Sequence, residues 1–148
     1  MIGSVSQTNA PFPVLQSILE PTAAQMRALN ATPIAFPGTA NGGSIAVPLS
    51  LQVLSNVTVA FDVIIGVRLR YTGIAQDLMF TGVGLYTVGN TGLRTMLGEA
   101  IISTALGFGV NPKGLAIELS SGTGPATTGN GTFRFRLLWT PLPVIAGY

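Results

Sequence analysis

The strongest constraint on this chain is an alternation of period two. Over Thr132–Thr140, Phe133, Phe135, Leu137 and Trp139 fall on one side and Arg134, Arg136 and Leu138 on the other. In a strand, successive side chains point to opposite faces, so this spacing predicts a strand with one buried face. Ser44–Leu54 repeats the pattern, with Ile45, Val47, Leu49, Leu51 and Val53 facing one way. Pro48 lies within that run and has no N–H for a ladder, so we expect an edge strand or a bulge there. Ser55-Asn56 reads as a turn, followed by a long β-branched strand over Val57–Tyr71, with Asp62, Arg68 and Arg70 on one face. Leu78–Val88 and Leu115–Leu119 are further strand candidates.

Between these runs lie Gly, Asn and Pro clusters: Asn41-Gly42-Gly43, Gly89-Asn90-Thr91-Gly92, Asn111-Pro112-Lys113-Gly114 and Gly129-Asn130-Gly131. Such clusters supply the φ values that turns demand, and the last reads as a hairpin-like corner closing the loop Ser120–Gly131. Helical signals are few. Pro21–Leu29 reads as one short helix, with proline in the first turn and Asn30 ending it. Val14–Leu19 has the spacing of a helical turn, and Leu93–Leu106 that of a short helix or a long loop. No βαβ rhythm appears. Many strands with turn-rich connections predict an all-β antiparallel sandwich or barrel.

Chemistry is scarce. The chain has no Cys and no His, and 8% of its 148 residues are charged, against about 25% in an ordinary soluble domain. Disulfides, thiolate or imidazole metal sites and catalytic triads are therefore excluded. The five carboxylates (Glu20, Asp62, Asp77, Glu99 and Glu118) are scattered, with no clustered calcium loop. Neither Gly82-Val83-Gly84 nor Gly107-Phe108-Gly109 completes a phosphate-binding fingerprint. We expect no enzyme, no cofactor and no metal. A net charge of +2 is not the basic stripe that nucleic acid requires. One such stripe would form if the strands bearing Arg68/Arg70 and Arg134/Arg136 paired, but like charges placed opposite each other oppose that pairing.

Ala28–Phe61 carries no charge, yet Pro33, Pro37, Pro48 and Gly42-Gly43 interrupt it, so no membrane-spanning helix fits there. Residues 1–19 hold no Lys or Arg, so the basic start of a secretion signal is missing. Both ends are apolar and proline-spaced. We divide the chain into an arm (1–20), a sandwich domain (21–140) and a tail (141–148). Phe12, Leu15 and Ile18 in the arm, and Leu142, Val144 and Ile145 in the tail, are the candidate anchors on neighbouring subunits. A surface poor in charge with apolar ends suits a chain partly covered by other protein.

Two stretches carry a resemblance. Residues 26–53, MRALNATPIAFPGTANGGSIAVPLSLQV, join a short helix, the step Leu29-Asn30-Ala31-Thr32-Pro33, a Gly-rich turn and an apolar strand. Residues 116–139, AIELSSGTGPATTGNGTFRFRLLW, pass through Thr128-Gly129-Asn130-Gly131-Thr132 into a final alternating strand. The chain resembles small structural proteins of tailed-bacteriophage virions, of the capsid cement or decoration type. The longer proline-bearing start and the proline-rich tail depart from that pattern. The resemblance implies no catalytic residue. Together with the charge deficit and apolar ends, it points to a jelly-roll-like β-sandwich on the virion surface, assembled in the host cytoplasm. Its expected partners are the major capsid protein and further copies of itself, in a homotrimer. A single-jelly-roll shell subunit and a host-binding spike or tail module, contacting its receptor through loop 120–132, are the alternatives. On the cement reading, a chain lacking residues 1–20 should keep its core and lose incorporation.

Overall fold

The computed structural model describes residues 12–63, 66–75, 77–80, 91–97, 111–122 and 124–143. They form strands β1 (Leu15–Leu19), β2 (Ile34–Ala35), β3 (Ser44–Val59), β4 (Val67–Tyr71), β5 (Asp77–Phe80), β6 (Thr91–Leu97), β7 (Ile117–Ser121) and β8 (Asn130–Pro143). One helix, α1 (Ala23–Ala28), follows β1. The first sheet has the order β1-β8-β3-β6 and the second β2-β7-β4-β5, and every pairing is antiparallel. β1 meets β8, β2 meets β7, β3 meets β6 and β4 meets β5. This is one long hairpin rolled upon itself until β8 also lies beside β3 and β7 beside β4. That topology is a jelly roll, the all-β antiparallel sandwich that the alternation predicts.

β8 shows the alternation at work. Phe133, Phe135, Leu137 and Trp139 are buried, while Arg134 and Arg136 face solvent. The opposite wall of the core includes Leu69, Tyr71, Ile117 and Leu119 of the second sheet. Phe61 and Phe133 close one end with their rings edge to face, 5.8 Å between centroids.

β3 departs from a simple alternation. Pro48 pairs with Trp139 and Ser50 with Leu138, so Leu49 is an extra residue in the ladder. The bulge reverses the phase. Before it, Ser44, Ala46 and Pro48 are buried; after it, Leu51, Val53 and Val57 are. The single apolar face expected for Ile45–Val53 is therefore split between two faces. Of the two expectations for Pro48, the bulge is the one realised at its side. β3 is an internal strand over Ser50–Asn56, where β6 pairs with it, and along Ser44–Pro48 its described partner is β8 alone.

Other elements differ from the sequence reading. Val14–Leu19 is no helical turn, because Leu15–Leu19 pairs with Phe135–Trp139 as an edge strand. Ser55-Asn56 does not turn. Ser55 stands between Gly92 and Phe133 in the ladder, and pairing on both sides overrides its turn propensity. The strand expected over 57–71 breaks, since Val59 ends β3 in the first sheet and Val67 begins β4 in the second. Thr91–Leu97 is strand β6, where the ladder with β3 outweighs helical spacing; residues 98–106 lie outside the described residues. Gly129-Asn130-Gly131 closes no hairpin, because β7 and β8 belong to different sheets. Helix α1 starts two residues later than the proline suggested. Thr22 is its N-cap and forms a capping box with Gln25, so Pro21 precedes the cap.

Candidate interaction surface

The two outer faces differ in how their charges are satisfied. On the second sheet, Arg70 stands opposite Glu118 and donates through Nε to Oε1 at 2.6 Å. Arg68 pairs with Asp77 at 3.2 Å. This face neutralises itself. The four-arginine stripe does not form, since β4 and β8 lie in separate sheets.

Asp62 does not join Arg68 and Arg70. It leaves the strand and ties down the loop before β8. Its carboxylate accepts the N–H groups of Thr127 at 2.9 Å and Thr128 at 3.2 Å, together with the Thr127 hydroxyl. The hydroxyl bond leads these contacts in holding the Asp62 carboxyl below its ordinary range. Helix α1 fastens the same loop from its other side. Arg27 Nη1 donates to the Gly129 carbonyl at 2.7 Å, and the Ala126 N–H donates to the Arg27 carbonyl at 3.1 Å.

The first sheet's outer face is different. Among the described residues the exposed large hydrophobics are Phe12, Val14, Leu15, Leu49, Leu54 and Val59, of which Leu15, opposite Trp139, has the inward phase at the sheet edge. All lie on β1, on β3 or on the lead into β1. Arg134 pairs with Glu20 at 3.2 Å, with both side chains more than half exposed. Arg136 donates to the Gln52 amide oxygen. Gln16, Ile18, Gln52, Leu54, Arg134 and Arg136 line a shallow groove of about 410 Å³. A second depression of about 440 Å³ shares Leu54 and Arg134, and runs past Glu20, Asn56 and Thr132.

Of the candidate anchors, Phe12 and Leu15 are exposed. Ile18 is half-buried and lines the groove, and Leu142 is half-buried on β8 opposite Ile45. Val144 and Ile145 lie outside the described residues. The structure places residues 15–19 of the expected arm within the first sheet, and Pro141–Pro143 of the expected tail at the end of β8. Sequence reasoning missed Leu49, Leu54 and Val59. Leu54 had a signal, as an apolar residue at an off-phase position directly after Val53. Leu49 had an indirect signal in Pro48, which allows a bulge beside it but does not say which residue the bulge turns outward.

The rolled sheets are locked together by buried polar links. Trp139 Nε1 donates to Ser17 Oγ at 3.1 Å, and Ser17 Oγ donates to the Pro37 carbonyl at 2.6 Å. Tyr71 of the second sheet donates its hydroxyl to the Ala46 carbonyl of the first at 2.6 Å, and burial pushes its pKa up to about 12. Among the described residues no three His, Cys, Asp or Glu side chains gather as a metal site. No described helix is long and apolar enough to cross a membrane.

Fold and surface define the class: a single jelly roll with one self-neutralised face and one that, among the described residues, exposes apolar groups and pairs Arg136 with a neutral amide. No protein-family model matches the chain, and no curated protein matches it. Among solved structures it is similar to a chain of the "Cyanophage Pam1 capsid asymmetric unit", with a TM-score of 0.52 and 17% identity. The match covers 90% of this chain and 86% of that one. At that identity the likeness establishes a shared fold.

Proposed function

We propose that this chain is a structural protein of a bacteriophage particle, acting as a cement or decoration protein on the outer capsid lattice. The observation that carries the reading is the end-to-end likeness to a chain of comparable length in a capsid asymmetric unit. The apolar outer face of the first sheet supports it, since contiguous apolar surface marks contact with other protein. In this reading the chain works by buried area and not by catalysis. Each copy covers ground on the major capsid protein and contacts further copies of itself, as a homotrimer. Many such contacts, each of roughly 1,600 Å², stiffen the shell by repetition. The protein resides on the virion surface and joins it in the host cytoplasm.

The test is addition of purified protein to capsid shells assembled without it. Saturable binding, with a rise in the temperature at which shells rupture, is the expected result. Spontaneous formation of closed particles by the protein alone would make it a shell subunit instead. Failure to bind shells, with retention on host cells that loop 120–132 mediates, would make it a host-binding module.

A further inference from the structure

Resting on that reading, we propose that the outer face of the first sheet seats on the shell, its groove receiving a carboxylate flanked by apolar side chains from a different protein chain. The argument is an account of charge. Each side-chain carboxylate among the described residues is already held within this chain: Glu20 by Arg134, Asp62 by Thr127 and Thr128, Asp77 by Arg68, and Glu118 by Arg70. Arg136 is exposed at the groove, and its partner there is the neutral amide of Gln52.

An arginine set among apolar groups is left short of a counter-charge wherever a partner excludes water. Leu54 and Ile18 flank it in the groove. A second copy is the poorer source of that counter-charge, because the carboxylates of its described residues are already committed. A nucleic-acid backbone is also a poor occupant, since phosphate binding draws on several cations spaced along a strand. Arg134 in the same groove is already neutralised by Glu20. A protein segment with one acidic residue between apolar neighbours satisfies both the charge and the leucines.

The experiment compares wild type, Arg136→Glu, Arg136→Gln and Lys113→Glu for binding to shells assembled without this protein. Lys113 is exposed in the turn before β7 and carries the same change in net charge away from the groove. Thermal unfolding of each variant, expected to match wild type, reports that the fold is kept. Arg136→Glu should weaken binding at least about tenfold, Arg136→Gln by less, and Lys113→Glu should bind as wild type. A compensating Glu or Asp to Lys change in the shell protein should restore Arg136→Glu. Wild-type binding by Arg136→Glu overturns the seating face while leaving the capsid role intact. Absence of binding by wild type itself overturns the cement role. Arg136-dependent self-association in sedimentation, or Arg136-dependent retention on naked DNA, would overturn the assignment to a different protein chain.

Discussion

Gly129 has a φ of +127°, and a Cβ there would come within 2.4 Å of the Phe61 ring. Both features exclude a side chain, for backbone strain and for overpacking respectively. Gly129→Ala should destabilise the fold by about 2–4 kcal/mol, measured by urea unfolding. The G-N-G pattern revealed a special backbone at this corner but not its reason, because Phe61 is remote in sequence. Tyr71 gives a prediction in pH. The phenol titrates near 10.0 when unfolded and about 12 when folded. A raised pKa means that the folded state favours the neutral form, so its contribution is complete below pH 10 and lost as pH rises toward 12. The melting temperature should fall across that window, and Tyr71→Phe should flatten the fall while lowering stability at neutral pH.

At the scale of elements, the bulge in β3 and the edge strand β1 carry the most information. Deleting Leu49 should close the ladder in register, with Pro48 still opposite Trp139, Ser50 opposite Leu138, and the Ala46 carbonyl still facing the Tyr71 hydroxyl. A loss below about 2 kcal/mol in urea unfolding is the expected outcome, whereas inserting a second residue beside Leu49 should cost more by turning Ala46 and Pro48 outward. For β1, the structure revises what truncation should do. Its Ser17 hydroxyl accepts the buried Trp139 N–H, and its backbone pairs with β8. A chain lacking residues 1–20 should expose that edge and unfold at markedly lower urea. The apolar character of residues 12–19 was legible from sequence. Their pairing with a strand more than a hundred residues later was not, because a short segment shows no register until it has a partner.

For the whole molecule, the division of labour between the two outer faces is the main result. Exposed Leu54 and Val59, at 48% and 50%, contribute little to the core. The double change Leu54→Ser, Val59→Ser should shift unfolding free energy by less than about 1 kcal/mol. It should also weaken association with shells, read by co-sedimentation. A variant that keeps full association would mean that the apolar face is not the contact.

Period-two alternation and glycine-rich turns were enough to determine an all-β antiparallel sandwich or barrel, because the strand pleat places every second side chain on one face. The lack of Cys and His and the shortage of charge likewise determined, without any structure, which chemistries are out of reach. Tertiary structure decided how the strands roll, where β3 changes phase, and which arginines have carboxylates. Those are properties of residues that meet across the fold, and local sequence records a residue's preference for a face but not the identity of the neighbour it finds there.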